Sequence, residues 1–271
     1  MKNILKISIA VLLISLLSCE KNLIEQNQQW EYADPNAANV KVVNAYTSNI
    51  PAGAPGVLVT RFYIYQDGAK LNGNAISTAG SWPGSATYAS VKPGNSGFTM
   101  ILDRRIGTDY GKVVRGDTAF NSKFVMDASK FYSLFMIGEA PTQSTILIND
   151  NLTNPQENKY GVRFANLVVS ATPKPVDIYS RREKKNLASN LQYKSITDFV
   201  EIQIPTRLSD DGKSQVSISD TLDVREAGKT VNLYSFNNFN PTSRRIYTFY
   251  NYGRVGGGTG FAERLASYTN R

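Results

Sequence analysis

Short runs in which apolar and polar residues alternate dominate the chain after its first forty residues. Period-two alternation bounded by Gly, Pro, Asn and Asp is typical of β-strands that bury one face. Such runs occupy residues 40–43, 62–65, 98–103, 200–204 and 216–218. Turn pairs such as Asp67-Gly68 and Asp211-Gly212 separate them, as hairpins require. Helical periodicity is absent except around Ala262 to Ala266, so the pattern predicts an all-β chain of antiparallel sheets.

The runs occur twice in the same order. Three pairs of segments match, namely residues 40–45 with 162–167, 62–65 with 176–179, and 128–135 with 227–234. The first pair shares a basic residue and an asparagine at the same places. Internal repetition of this kind predicts tandem domains. We expect two antiparallel, immunoglobulin-like β-sandwiches, over residues 39–150 and 159–271, the second with a short C-terminal tail.

The asparagines shared by the two copies, Asn44 and Asn166, stand where a strand gives way to a loop. An amide side chain at such a position can bond backbone groups that the sheet leaves unpaired. We therefore predict a structural role for both.

The first 18 residues have the features of a bacterial lipoprotein signal peptide. Two lysines precede an apolar run from Ile7 to Leu17, which is shorter than the roughly 20 residues that cross a bilayer. The run ends in Leu16-Leu17-Ser18-Cys19, which contains the single cysteine of the chain. We predict cleavage before Cys19, lipidation of its thiol, and a polar tether over residues 19–38. The lipid would hold the protein at the outer membrane, on its cell-surface or its periplasmic face.

The composition argues against several classes of function. The chain has no histidine, which removes the commonest general base and the commonest metal ligand. Its 30 basic residues are interspersed with 22 acidic ones, and the densest cluster, Arg181 to Lys185, contains an acid. That cluster is typical of a solvated hairpin rather than of a nucleic-acid interface. Asn149-Asp150-Asn151 lacks the later glycine and glutamate of a calcium loop and is predicted to be an interdomain turn. We predict no catalytic residue, no metal and no cofactor.

Three segments of the second copy resemble the family called domain of unknown function 4397. They are Tyr160 to Leu167, Pro175 to Tyr179 and Leu187 to Ile196. Family members open with V-R-x-x-N and continue with a V-D-V-Y strand, and the first copy departs from this because its strand, Arg61 to Tyr65, lacks the aspartate. The resemblance implies β-sandwiches, often in tandem, in surface or periplasmic lipoproteins of Bacteroidota type. It implies no catalytic residues.

Aromatic residues are the candidate ligand or partner contacts. Trp82 lies in a long loop region of the first copy, where an exposed ring could stack on a sugar or anchor a partner. Tyr247, Tyr250 and Tyr252 form a second candidate surface, because strand alternation should expose some of them. Packing in the core is the alternative role for all four.

These observations predict a non-catalytic, membrane-anchored lipoprotein of the cell envelope. Its partners would be the membrane, through the lipid on Cys19, and an envelope protein, in adhesion or in the assembly of an outer-membrane complex. An accessory glycan-binding lipoprotein is the alternative, and a carboxylate-based hydrolase is a remote one. A nucleic acid is not expected among the partners.

Overall fold

A computed structural model describes residues 35–47, 61–84, 86–105, 113–139, 141–208, 215–257 and 261–271. Over these ranges, every element of regular secondary structure is a β-strand, so the all-β prediction is confirmed. None of the described residues belongs to a helix that could span a bilayer. The predicted signal peptide, the lipidation site Cys19, most of the tether and the Asp211-Gly212 turn lie outside the described residues.

The first sandwich, residues 38–149, consists of two sheets. Its strands are β1 (Ala38–Tyr46), β2 (Arg61–Gln66), β3 (Ala69–Lys70), β4 (Ile76–Ser77), β5 (Ser81–Trp82), β6 (Ala89–Val91), β7 (Gly94–Arg105), β8 (Val113–Met126), β9 (Phe131–Gly138) and β10 (Ser144–Asn149). The sheet that faces the second sandwich, called the inner sheet, has the order β10-β9-β1, with β5 and β6 both paired to β1. The other sheet, called the outer sheet, has the order β3-β2-β7-β8, with β4 paired to β2.

The second sandwich, residues 159–269, has the same plan. Its strands are β11 (Lys159–Asn166), β12 (Val176–Ser180), β13 (Lys185–Leu191), β14 (Val200–Gln203), β15 (Thr206–Leu208), β16 (Gln215–Ser217), β17 (Asp220–Glu226), β18 (Asn232–Phe239), β19 (Ile246–Tyr252) and β20 (Arg264–Thr269). The inner sheet has the order β14-β11-β19-β20 and the outer sheet the order β13-β12-β17-β18. Strands β15 and β16 form a separate two-stranded ribbon.

The shared topology shows which repeat matches were right. Strands β1 and β11 hold equivalent places in the inner sheets, and β2 and β12 do so in the outer sheets, as the first two matches predicted. The third match was wrong. Residues 128–135 lead into β9 of an inner sheet, whereas residues 227–234 lead into β18 of an outer sheet. The two segments share a tight turn instead, since Ser129 and Gly228 both have positive φ.

One strand pair in each sandwich departs from the antiparallel arrangement that we predicted. Strands β1 and β9 run parallel, and so do their counterparts β11 and β19. Nearly every residue of these four strands is buried. Parallel strands occur where both faces of a sheet are covered. The inner sheets satisfy this condition, because one face covers the core of the sandwich and the other meets the second sandwich.

Each sandwich has its own apolar core. In the first, Val40 and Val42 of β1 pack with Phe62 and Ile64 of the outer sheet. In the second, the inward residues of β11 and β19 pack with those of the outer sheet, namely Tyr160, Val162, Phe164, Ile178, Leu222, Val224, Phe239 and Phe249. The sandwich architecture is therefore present in both halves.

Three local predictions can be compared with the structure. The charged cluster from Arg181 to Lys185 connects β12 and β13 as a hairpin, as expected, but it is not fully solvated, because the Arg182 side chain is 7% exposed and donates to the Tyr160 hydroxyl at 3.1 Å. Asn44 donates to the carbonyl oxygen of Ile76 at 3.1 Å, and Asn166 to that of Leu191 at 2.9 Å, so their structural role is confirmed. The helical periodicity near the C-terminus was misleading, because residues 264–269 form strand β20 on the edge of an inner sheet.

Candidate functional site: the interface between the two sandwiches

The inner sheets of the two sandwiches pack against each other and bury a third apolar cluster. The first sandwich contributes outward-facing residues of β1 and β9, and the second contributes those of β11, β19 and β20. These residues are Val43, Ala45, Phe135 and Ile137 on one side and Ala165, Leu167, Tyr250, Tyr252 and Tyr268 on the other. Without this contact each inner sheet would expose a large apolar face to water. The two sandwiches therefore form one packed body.

A buried ion pair lies within this interface. The guanidinium of Arg163, on β11, is 2.7 Å from the carboxylate of Asp150, which directly follows β10. The two side chains are 2% and 0% exposed. The backbone amide of Asp150 donates to the carbonyl oxygen of Phe131 at 2.7 Å, which fixes the aspartate to the first sandwich. The pair therefore joins one sandwich to the other.

Hydroxyl groups from both sandwiches complete the coordination of this pair. The Asp150 carboxylate accepts hydrogen bonds from Ser133 and Tyr88, each at 2.6 Å. Arg163 donates to Ser133 at 2.9 Å, to Thr248 at 2.9 Å and to Tyr268 at 3.2 Å. A buried charge is tolerated only when such bonds replace its hydration.

The network reaches the last residues of the chain. Asn270 donates to the Tyr88 hydroxyl at 2.7 Å and accepts from the Thr248 hydroxyl at 2.7 Å. Its donor bond crosses the interface, because Tyr88 belongs to the first sandwich. The segment that the sequence suggested was a tail is thus part of the contact between the sandwiches.

Lys41 of β1 holds the place in the first sandwich that Arg163 holds in the second. It is fully buried, and its Nζ lies 5.5 Å from the ring centroid of Tyr88 and 5.6 Å from that of Tyr268. A cation above an aromatic face is attracted by the ring. Burial nevertheless lowers the pKa of Lys41 to about 8, although the charge of Asp150 acts in the opposite direction.

The tyrosines beside the ion pair stay protonated at neutral pH. Burial, followed by the charge of Asp150, raises the pKa of Tyr88 well above its usual value. Burial also raises the pKa of Tyr268, against the opposing effect of Arg163. Both hydroxyls are therefore available as donors. The arrangement holds the two β-sandwiches together.

Two of the predicted contact residues, Tyr250 and Tyr252, are buried between the sandwiches instead of exposed on a surface. Tyr250 and Tyr252 are 1% and 8% exposed and belong to the interface cluster, because their β19 faces the other sandwich. The Tyr250 hydroxyl donates to the carbonyl oxygen of Ala79 at 2.8 Å across that interface. The expectation of an exposed surface at these two tyrosines was wrong.

Tyr247 and Trp82 pack against the two cores. Tyr247 is partly buried against the core of the second sandwich, and its hydroxyl accepts from the backbone amide of Thr242 at 3.0 Å. Trp82 lies on the short strand β5, paired with β1, and not in a loop, and its side chain packs against the first core. Cys19, the predicted lipidation site, lies outside the described residues.

The sequence contained one signal for this interface. A basic residue follows the first valine of each copy, which gives Lys41 and Arg163, in strands that otherwise alternate apolar residues. A charge at the same place in two buried strands indicates a shared interface. Asp150 was identified only as part of an interdomain turn, and its pairing with Arg163 was missed. In the described part of the chain, no group of three or more His, Cys, Asp or Glu residues could hold a metal ion.

Comparison with known proteins adds little to this geometry. No protein-family model and no curated protein matches the chain. A solved structure of a candidate cell adhesion protein from Bacteroides fragilis is 10% identical, with 87% of this chain and 98% of that chain covered and a TM-score of 0.19. A candidate adhesin from Bacteroides ovatus is 12% identical, with 84% and 94% covered and a TM-score of 0.20. Scores this low carry no argument, so the resemblance to domain of unknown function 4397 stays a prediction.

The ion pair can be tested by removing one of its charges. Asp150→Asn leaves Arg163 buried without a counter-charge, and we expect a loss of about 3–5 kcal/mol in the free energy of unfolding. Urea denaturation followed by circular dichroism measures it. The matched control is Glu157→Gln, which breaks the exposed pair with Arg244 at 3.7 Å, with side chains 76% and 66% exposed. The control should lose about 1 kcal/mol or less. An equal loss in both variants would contradict the account.

Lys41 gives a prediction about pH. Its folded pKa of about 8 lies below the usual lysine value, so between about pH 8 and 9.5 the unfolded chain binds a proton that the folded chain has lost. The free energy of unfolding should therefore rise with pH across this window. Lys41→Met removes the titrating group. The free energy of unfolding of the variant minus that of the wild type should therefore be smaller at about pH 9.5 than at about pH 7.

Urea denaturation at several pH values measures the Lys41 effect. Lys92→Met is the control, because the Lys92 side chain is 73% exposed. If the difference in free energy of unfolding between Lys41→Met and the wild type does not change with pH, the lowered pKa of Lys41 is contradicted.

Proposed function

We propose that this protein is a non-catalytic lipoprotein of the bacterial outer membrane that presents a rigid pair of β-sandwiches to another envelope protein. The observation that carries the proposal is the buried interface around Arg163 and Asp150. There, two charged side chains that are 2% and 0% exposed pair with each other across the two sandwiches. A fixed orientation suits a recognition module, because less conformational freedom is lost when a partner binds.

The direction of the strands supports a tethered arrangement. Near the start of β9, Ser133 accepts a hydrogen bond from Arg163 of β11. Just past the ends of β9 and β19, Glu139 and Arg254 lie 3.6 Å apart, so β9 runs in the same direction as β11 and β19. Since β1 and β9 are parallel, and β11 and β19 are also, all four central strands run in the same direction. The segment that would lead from the lipid enters at Ala38, the start of β1. One end of the molecule would thus face the membrane and the other would face away from it.

The length of the segment before β1 sets the reach of this arrangement. The 18 residues between Cys19 and Ala38 can span at most about 60 Å when fully extended. That reach would allow the sandwiches to contact a neighbouring membrane protein while the lipid on Cys19 stays in the bilayer. Membership of the family called domain of unknown function 4397, which the second copy resembles, is part of the same proposal.

Neither alternative function gains support from the geometry. The glycan-binding hypothesis depended on exposed aromatic side chains. Two of the four candidates, Tyr250 and Tyr252, are buried in the interface, while Tyr247 and Trp82 pack against the two cores with part of their surface exposed. The hydrolase hypothesis needs two carboxylates facing a substrate, whereas the buried Asp150 is bound by Arg163, Ser133 and Tyr88.

Two measurements on cells test the proposal. Metabolic labelling with a clickable palmitate analogue should mark the wild type and the control Ser18→Ala, which keeps a small residue before the cut, and should leave Cys19→Ala unmarked. Chemical cross-linking of intact cells should then join the wild type to a discrete envelope protein. Cys19→Ala should lose that product, because the protein no longer resides at the membrane. An unlabelled wild type would refute the anchor, and the absence of any cross-linked envelope protein would refute the interaction role.

A further inference from the structure

A cavity of about 210 Å³ opens at the end of the second sandwich, where β11 and β19 finish. Asn166, the last residue of β11, and Tyr234 of β18 are among its lining residues. The cavity therefore lies between the inner and outer sheets. It is also at the end of the molecule opposite to Ala38, where the proposed tether would enter. A cavity in that position would face away from the membrane.

Apolar side chains surround the mouth of this cavity. Val231, Leu233 and Val255 are 73%, 56% and 54% exposed, and Leu233 and Val255 line the cavity itself. Val231 directly precedes β18 and is not among the lining residues. Leu233 and Val255 are two of the six large apolar residues exposed in the described part of the chain. Exposed apolar side chains concentrated at one cavity are typical of a binding site.

The cavity also carries an uncompensated negative charge. Two acids and one base line it, and the base, Lys174, pairs with Glu226 at 2.8 Å. The remaining acid, Glu263, has no ion-pair or hydrogen-bond partner among the described residues. Glu263 and Tyr234 both line the cavity, and the Glu263 charge, after burial, contributes to the raised pKa of Tyr234. The lining thus combines an aromatic ring, a carboxylate and apolar surface.

An unpaired buried amide lies beside this lining. Asn251 of β19 stands in register with Asn166 of β11, and residues paired in register on neighbouring strands project from the same face of the sheet. The Asn251 side chain is fully buried, and neither its nitrogen nor its oxygen has a partner in the described residues. Buried polar atoms are rarely left unpaired, and an exception calls for an explanation such as a strained, catalytic or ion-binding role.

From these features we propose that the cavity binds a lysine side chain of the partner protein. The four methylene groups of a lysine would lie along Leu233 and Val255, and its ammonium group would lie between the Tyr234 ring and the Glu263 carboxylate. Aromatic rings and carboxylates are the groups that attract an ammonium ion in a partly dry site. The inference rests on the proposed interaction function, for which it supplies the recognition chemistry.

The test uses the mature protein and a small probe, N-acetyl-lysine N-methylamide, followed by NMR of the isotope-labelled protein. We expect saturable shifts confined to the amides around Asn166, Tyr234 and Val255. The Nε-acetylated form of the probe keeps the apolar stem and loses the charge. Its affinity should therefore be lower by about tenfold. Glu263→Gln should weaken binding of the charged probe by a similar factor.

Two control variants separate the effect of the Glu263 charge from that of the apolar lining. Glu157→Gln removes an exposed acid that already pairs with Arg244 and does not line the cavity, so it should leave binding unchanged. Leu233→Ala removes apolar contact and should weaken both probes equally. The inference is overturned if no saturable shift occurs, if both probes bind equally well, or if Glu263→Gln has no effect.

Self-association is the remaining alternative. Concentration-dependent shifts at the same residues without any probe would assign the site to a second copy of this chain and overturn the proposal. Failure of the probe together with an intact cross-link to an envelope protein would reject the lysine site alone and leave the proposed function standing.

Discussion

The ion pair between Arg163 and Asp150 determines how the two halves of this molecule fit together. A charge buried this deeply is stable only when an opposite charge and several hydrogen bonds replace the water that surrounded it. Those partners come from both sandwiches, because Asp150 and Ser133 belong to the first, and Arg163 and Tyr268 to the second. Separating the sandwiches would leave both charges unpaired beside a large apolar surface, so separation is costly.

This interface explains features that are unusual for a β-sandwich. Its central strands are buried on both faces, which fits the parallel pairing of β1 with β9 and of β11 with β19. Because all four strands run in the same direction, the start of β1 and the cavity beside Asn166 lie at opposite ends of one rigid body. Strand β11 has eight residues, which correspond to roughly 26 Å at about 3.3 Å per residue. The proposed tether and the proposed lysine site would therefore lie at opposite ends because of this packing.

The sequence predicted what depends on local patterns and missed what depends on contacts between distant strands. Alternation identified the strands, and Asn44 and Asn166 were assigned correctly, because their bonds depend on the strand end where each stands. Alternation does not reveal what covers the second face of a sheet, so Tyr250 and Tyr252 were expected at a surface that is in fact the interface. The pairing of Asp150 with Arg163 was missed for the same reason, since it forms only after the two sandwiches pack. The anchoring of Cys19 and the envelope partner remain predictions.

The central claim is that the buried interface fixes the two sandwiches in one orientation. Residual dipolar couplings of backbone amides in a weakly aligned sample measure this orientation directly, because two bodies that move independently align to different extents. The account predicts that couplings from both sandwiches fit a single alignment tensor, with one magnitude and one direction. Two tensors of clearly different magnitude would show that the sandwiches move independently and would contradict the account.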